Sequence, residues 1–173
     1  MKTGEVPHVI QILSSCPHVY KLVIKSRIKT LTTRLFSPNL AKLELRFAEL
    51  EEDPMPTLEK LPNLKILRLL QNSFEGKDMD CSEGGFPLLQ YLFLDHLYYL
   101  EEWRVEKGAL PNLCQLKINY CNRLKTIPDG LRFVTTLQEL KIKSMSKSFT
   151  DRLHKGGPDF DKVKHVRSFV FQS

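Results

Sequence analysis

No segment of this 173-residue chain looks like a membrane span or a signal peptide. Its apolar runs fall well short of the ~18 residues that a membrane-spanning helix needs. The early Lys2 is not followed by the apolar stretch of a secretory leader. The sequence also contains no N-x-S/T acceptor for N-linked glycosylation. Together these absences favour a protein of the reducing cytoplasm, with the nucleus as the alternative.

Cysteine is scarce, with four residues in the chain. None of them forms a C-x-x-C pair, and their spacing fits no zinc site. For Cys121, which follows a predicted strand, a buried free thiol is the favoured interpretation and a disulfide or redox role is the alternative. The five histidines are scattered and form no H-x-x-x-H pair. The sequence therefore predicts neither a metal nor a cofactor.

Signatures of catalysis and of nucleotide binding are absent as well. The chain has no G-x-S-x-G motif and no Cys/His catalytic pattern. A phosphate-binding G-x-x-x-x-G-K-[ST] loop is missing, because Gly76-Lys77 is followed by Asp78 and the earlier glycine is not there. We therefore predict that the chain is not an enzyme and has no ATP or ADP site of its own.

What the sequence does contain is a repeated phrase of three apolar residues, spaced as L-x-x-L-x-L. The first positions of its six copies are separated by 21, 24, 25, 24 and 24 residues. A fixed period in the twenties is typical of a leucine-rich-repeat solenoid. The six copies are Val19/Leu22/Ile24, Leu40/Leu43/Leu45, Leu64/Leu67/Leu69, Leu89/Leu92/Leu94, Leu113/Leu116/Ile118 and Leu137/Leu140/Ile142.

The phrase predicts an α/β fold of the leucine-rich-repeat solenoid class, with one curved, parallel, concave β-sheet. Side chains alternate along a strand, so the second and third apolar residues of each phrase point into the core. Irregular loops and short helices are predicted on the convex side. There Trp103 is expected to pack one ring face against the core, and residues 72–86 are predicted to be a polar loop because they are rich in glycine.

The domain prediction is a single leucine-rich-repeat domain over residues 1–173, with about six repeats and a C-terminal capping strand at residues 166–171. The cap is predicted from Val166/Phe169/Phe171, a seventh copy of the phrase that begins 29 residues after Leu137. No comparable cap precedes the first copy, where Val9 and Ile10 look like part of an earlier repeat. We therefore expect an array that is truncated at its N-terminal end and self-associates weakly through it.

The variable positions of the phrase are predicted to face solvent on the concave side. Eight of them are basic and three are acidic, a balance of 8 − 3 = +5 in a chain of net charge +6. The centre of this face is apolar, with Ile66, Leu70, Tyr91 and Phe93, and an apolar centre surrounded by charges is typical of protein interfaces. The face is therefore predicted to bind a protein through Tyr91 and Phe93. The alternative is that residues 72–86 cover these two rings. The predicted partner-binding residues are Ile66, Arg68, Leu70, Tyr91, Phe93, Asp95, Lys117 and Lys141.

Four stretches of the sequence are more specific than the general pattern. They are residues 85–92 (GFPLLQYL), 97–103 (LYYLEEW), 106–111 (EKGALP) and 127–131 (IPDGL). They resemble the C-terminal leucine-rich repeats of plant intracellular disease-resistance receptors, in the class with an N-terminal coiled coil and a nucleotide-binding module. The resemblance extends from about residue 16 to the end of the chain.

The resemblance implies a function in protein recognition. In that family the repeat domain recognises pathogen effectors, directly or through a guarded host protein, and restrains the nucleotide-binding module. The implied partners are therefore an effector or guarded protein and the nucleotide-binding module of the parent receptor. One alternative is a substrate adaptor of a ubiquitin ligase, which would need an F-box-like segment upstream. Nucleic-acid binding is disfavoured, because the concave aromatics do not recur and no Arg-rich run is present.

Overall fold

Two parallel β-sheets form the solenoid in the computed structural model, which describes residues 18–28 and 30–172. The larger sheet has seven strands in these residues, and the smaller sheet has two. Neighbouring strands of the larger sheet come from successive repeats, so the predicted leucine-rich-repeat solenoid is confirmed. The N-terminal segment with Val9 and Ile10, and with it the predicted self-association surface, lies outside the described residues.

Every neighbouring pair in the larger sheet is parallel and keeps one register. Leu43 pairs with Leu67, Leu67 with Leu92, and Leu92 with Leu116, so that equivalent positions of the phrase are aligned across the sheet. Numbered along the chain, the strands of this sheet are β1 (Lys21–Lys25), β2 (Lys42–Arg46), β3 (Ile66–Leu70), β5 (Tyr91–Asp95), β7 (Gln115–Asn119), β8 (Glu139–Lys143) and β9 (Ser168–Gln172).

The aliphatic residues of the phrase fill one continuous core. Leu67, Leu69 and Leu92 are completely buried, as the alternation along a strand predicts. Each such side chain contributes roughly 1.5–3 kcal/mol of burial free energy. No single repeat can bury its own apolar face, so stability arises from the stacking of neighbours.

The second sheet corrects the prediction of a polar loop at residues 72–86. Asp78–Cys81 form β4, which pairs in parallel with β6 at Glu102–Val105. Met79 and Cys81 point inward from β4 and are buried, while Asp78 faces solvent. The alternation of Asp-Met-Asp-Cys is a strand pattern, but it is only four residues long and lies among glycines, which conceals it. Trp103 of β6 is 3% exposed, so its predicted packing against the core is confirmed.

The connections on the convex side are short helices and turns. They include α1 (Met55–Leu58), 3₁₀ turns at Thr33–Leu35 and Asp129–Phe133, α2 (Lys147–Leu153) and α3 (Phe160–Val163). The helix α2 begins at an N-cap where the amide of Phe149 donates to Ser146 Oγ over 3.3 Å. No helix of residues 18–28 and 30–172 combines the length and hydrophobicity that crossing a bilayer requires.

The last strand, β9, pairs with β8 and contains Phe169 and Phe171 of the seventh phrase. Two ion pairs with the buried Asp159 stabilise the segment that leads to it: Arg152 Nε donates to Asp159 Oδ2 over 2.6 Å, and Lys162 Nζ lies 2.8 Å from Asp159 Oδ1. Burial acts to raise the pKa of Asp159, but the hydrogen bonds and charges of Arg152 and Lys162 outweigh it and lower that pKa. The role of residues 166–171 as a cap, the single domain over residues 1–173 and its truncation stay predictions.

A left-handed turn follows each strand from β2 to β8 in the larger sheet. Phe47, Gln71, His96, Tyr120 and Ser144 occupy this position with φ between 47° and 54°. Their amides donate along the solenoid, for example from Tyr120 to the Lys143 carbonyl over 3.2 Å and from Ser144 to the Gln172 carbonyl over 2.8 Å. The backbone therefore turns in the same way at the end of successive strands, and it aligns the side chains of these residues along one edge of the sheet.

Candidate protein interface on the concave sheet

Three rows of side chains cross the outward face of the larger sheet, one row for each variable position of the repeat. They follow directly from the common register of the strands. The first row is Lys21, Lys42, Ile66, Tyr91, Gln115, Glu139 and Ser168. The middle row is Val23, Glu44, Arg68, Phe93, Lys117, Lys141 and Val170, and the third row is Lys25, Arg46, Leu70, Asp95, Asn119, Lys143 and Gln172.

Tyr91 and Phe93, which we call the aromatic patch, lie at the centre of this face. The Tyr91 ring has two cations over it: Arg68 Cζ is 5.5 Å and Lys117 Nζ is 5.4 Å from its centroid. Phe93 lies between Arg68 and Lys117 in the register, and Ile66 pairs with Tyr91. A cation–π contact at an exposed site stabilises by about 0.5–1 kcal/mol. Five of the predicted residues are therefore brought together, and the two cations hold the ring in place.

Leu70 is not part of an exposed surface, and its predicted exposure is wrong. The residue is 5% exposed. It lies between Arg46 and Asp95 in the register, at the end of β3. The side chains of Arg46 and Asp95 flank it on both adjacent strands and leave little of it in contact with solvent. The remaining seven predicted residues are each partly exposed.

An aromatic cluster that sequence analysis missed borders the patch at the C-terminal ends of the strands. His96 stacks on Tyr120 with 4.3 Å between ring centroids and contacts Tyr98 edge-on at 5.6 Å. Asp95 Oδ2 lies 2.7 Å from His96 Nδ1 and orients the imidazole. Tyr98 is 50% exposed. We call His96, Tyr98 and Tyr120 the aromatic rim. The left-handed turns after the strands place His96 and Tyr120 at this edge. The spacing of apolar residues in the sequence does not reveal these turns.

The ion pairs of this face are unevenly distributed. Arg46 Nε donates to Glu44 Oε1 over 2.6 Å, Arg68 Nη1 lies 3.4 Å from Glu44 Oε2, and Lys141 pairs with Glu139. Partial burial acts to raise the pKa of Glu44, but the hydrogen bonds and charges of the two arginines outweigh it and lower that pKa. The carboxylate therefore stays ionised and neutralises cations on β2 and β3.

The segment at residues 72–86 contributes to the core, contrary to the alternative in which it covers Tyr91 and Phe93. Phe74, Met79 and Phe86 of this segment are buried in the core. Its strand β4 belongs to the second sheet, whose inward side chains meet the core from the side opposite to the larger sheet.

Metal binding has no support in the part of the chain that the structure describes, where no group of three or more His, Cys, Asp or Glu side chains could hold an ion. The predicted free thiol at Cys121 is confirmed: the residue is buried, and its Sγ lies 3.3 Å from the Asn119 carbonyl. Burial raises the pKa of this thiol to about 12, so it is protonated and unreactive at neutral pH.

Comparison with known proteins connects this geometry to plant immunity. No family model matches the chain. Probable disease resistance RPP8-like protein 2 of Arabidopsis thaliana is 48% identical over 136 residues, which are 79% of this chain and 15% of that protein. Disease resistance RPP8-like protein 3 of the same plant is 39% identical over 171 residues, or 98% of this chain and 19% of that protein.

A third relative extends the similarity. Probable disease resistance protein RF45 of Arabidopsis thaliana is 42% identical over 160 residues, which are 91% of this chain and 15% of that protein. The chain thus spans less than a fifth of the length of these relatives. Identity at this level over most of the chain, together with the solenoid described above, confirms the predicted resemblance. The chain belongs to the plant disease resistance proteins of the nucleotide-binding leucine-rich-repeat class, and it corresponds to a leucine-rich-repeat portion of them.

Proposed function

We propose that this chain is a recognition module of a plant immune receptor, and that its concave face binds a pathogen effector or a guarded host protein. The observation that carries the proposal is the aromatic patch, in which Arg68 and Lys117 hold the Tyr91 ring beside Phe93 on a partly exposed face. Residues that dominate the affinity of protein interfaces are enriched in tyrosine and arginine and cluster near the centre of the contact.

The arrangement of the patch supports binding of a protein over other functions. A ring that is already held between two cations loses little conformational freedom on binding, which favours affinity. The aromatic rim extends the surface beyond the strand ends, so the apolar contact area is larger than the patch alone. The relatives named above favour this function over that of a ubiquitin-ligase adaptor, and the patch does not repeat as a series of base-stacking platforms would.

A second part of the proposal is restraint of the nucleotide-binding module of the receptor. The chain has no phosphate-binding loop, so any nucleotide switch would belong to another part of the receptor. We propose that this chain acts by binding and not by catalysis, that it needs no cofactor, and that it works in the cytoplasm. Recognition and restraint would then be two uses of one repeat surface.

A chimeric receptor tests the proposal. The 136 matched residues of RPP8-like protein 2 are replaced by the corresponding residues of this chain, and the chimera is expressed in leaves with a panel of secreted pathogen proteins. We expect no cell death from the chimera alone, because restraint is preserved, and cell death with a panel member that the concave face binds. The response is measured as ion leakage.

The matched variants separate recognition from folding. Tyr91→Ala with Phe93→Ala should abolish the response, while Phe133→Ala should preserve it. Phe133 is also an exposed aromatic residue with a lysine over its ring, at 5.4 Å from Lys107 Nζ, but it lies on the convex side. An undiminished response in the double variant would refute recognition by the patch, and cell death from the unstimulated chimera would refute restraint.

A further inference from the structure

A hollow of about 340 Å³ opens on the outward face of β1, β2 and β3, next to the aromatic patch. Among the described residues, its charged lining consists of Lys21, Lys25, Lys42, Arg68 and the single carboxylate Glu44. We call it the cationic hollow. Four cations and one carboxylate line the hollow, so the site has an excess of positive charge.

The register of the strands places like charges directly opposite each other around the hollow. Lys21 pairs with Lys42, and Lys25 pairs with Arg46. Like charges at directly opposite positions destabilise a sheet. Glu44 compensates Arg46 and Arg68, but within the described residues no carboxylate lies within ion-pair distance of Lys21, Lys25 or Lys42.

The cations that remain are available to a ligand. Lys42 Nζ lies 5.4 Å from the Tyr20 ring centroid, so it has an aromatic and not an anionic neighbour. Arg68 makes one long contact with Glu44 through Nη1, and its Nε–H is buried without an acceptor in residues 18–28 and 30–172. Its side chain is 43% exposed, and the two Nη groups carry four of the five guanidinium donors, so these groups are the ones that a ligand can reach.

The strand spacing indicates the shape of the ligand. Lys21, Val23 and Lys25 point to the same side of β1 at steps of two residues, or roughly 6.6 Å, and Val23 is 39% exposed between the two lysines. An extended peptide has the same spacing between alternate side chains. Its acidic residues at positions i and i+4 would therefore meet the lysines, while an apolar residue at i+2 would meet Val23.

We propose that the cationic hollow binds an extended acidic segment of the partner protein, with carboxylates at i and i+4 and an apolar side chain at i+2. This rests on the proposed function, in which the concave face binds a protein. The described lining contains no aromatic ring on which a base could stack, so a peptide is favoured over a nucleic acid.

The test uses the full chain and a fluorescein-labelled peptide of sequence SESLSES, titrated by fluorescence anisotropy at low and high salt. We expect saturable binding that weakens with salt, and about tenfold weaker binding, or 1.4 kcal/mol, after Lys21→Gln with Lys25→Gln. The matched control is Lys60→Gln with Lys155→Gln, which removes the same charge from exposed positions that do not line the hollow and should leave affinity unchanged. Circular dichroism verifies that both variants are folded.

Three outcomes would overturn the proposal. These are equal affinity of the two double variants, equal affinity for the peptide SQSLSQS, and tighter binding of a single-stranded oligonucleotide of the same length. The result is independent of the chimera experiment, which depends on Tyr91 and Phe93. If the response of the chimera does not depend on Tyr91 and Phe93 while the peptide binds, recognition by the patch is refuted and the peptide site is retained. If that response depends on the two rings but the peptide does not bind, only the proposal for the hollow is refuted.

Discussion

The outward faces of the two sheets are built from the same alternating strands, yet they differ in how their charges are arranged. On the smaller sheet Arg104 lies among three acids, with Nε 2.6 Å from Asp80 Oδ1 and Nη1 3.0 Å from Glu102 Oε2. On the larger sheet lysines stand opposite other cations, and aromatic rings remain partly exposed. Each charged side chain on the outward face of the smaller sheet takes part in an ion pair, whereas the larger sheet has unpaired cations and apolar surface left for a partner.

The difference teaches that exposed charge alone does not identify a binding face. Exposed ion pairs contribute about 0–1 kcal/mol each, so the network around Arg104 is a solvated surface with little influence on stability. What distinguishes the concave face is that cations without a carboxylate partner lie next to partly exposed aromatic rings. Matched variants can test the two sheets against each other.

The largest effect should come from removing the support beneath the smaller sheet. Trp103→Ala should destabilise the protein by about 3–5 kcal/mol, because a buried aromatic side chain leaves a cavity. Urea denaturation would measure the loss in free energy of unfolding. The exposed Phe133→Ala should cost less than about 0.5 kcal/mol. Equal small losses in both variants would mean that the smaller sheet is only loosely attached to the core.

The next effect concerns the carboxylate that ties the smaller sheet to its neighbouring turn. Asp53 accepts hydrogen bonds from the amides of Met55 over 2.9 Å and Asp80 over 2.8 Å. Burial first, and then the charges of Asp80 and Glu59, raise the pKa of Asp53 to about 6 from 3.8, against the lowering effect of these amides. The folded state therefore holds this proton more tightly than the unfolded state does.

The pH dependence follows from that difference in proton binding. The contribution of Asp53 to stability is fully present below about pH 3.8 and is lost as the pH rises through about 6. The free energy of unfolding should fall less between these two pH values in Asp53→Asn than in the unchanged chain, by an amount on the order of 1 kcal/mol. Thermal unfolding at several pH values measures it, and an unchanged slope in the variant would show that other groups control this region.

The smallest effects should have opposite signs on the two sheets. Arg104→Gln removes an attracted cation and should lower the free energy of unfolding, while Lys25→Gln removes a cation opposite Arg46 and should raise it, each by about 0.2–1 kcal/mol. Both differences should shrink in high salt because exposed charges are screened. Changes of the same sign in the two variants would contradict the contrast drawn between the sheets.

Most of the larger sheet could be predicted from the spacing of apolar residues. The phrase locates the inward residues of each strand correctly, as at Leu43 and Leu92, because a period of two within a strand and a period near 24 between strands leave few other ways to form a core. The same spacing places Tyr91 beside Arg68 and Lys117. The predicted site therefore rests on alternation and register, which are properties of the local sequence.

The parts that could not be predicted depend on three-dimensional shape. Leu70 is buried although the equivalent positions Arg46 and Asp95 are partly exposed, and the phrase does not encode which side chains flank it on the adjacent strands. The strand β4 is too short for its alternation to stand out from the surrounding glycines. The rim residues His96 and Tyr120 lie outside the phrase altogether, and only the turn after each strand brings their rings within 4.3 Å.

The left-handed turns at the strand ends have a consequence for how this surface can diversify. Phenylalanine, glutamine, histidine, tyrosine and serine occupy equivalent positions in one backbone conformation at residues 47, 71, 96, 120 and 144. Glycine is the residue that this conformation favours, so five larger side chains are held there against local preference. The backbone hydrogen bonds that define the turn do not depend on which side chain it presents. The edge of the solenoid can therefore exchange its chemistry one residue at a time, and a new partner can be accommodated without a new fold.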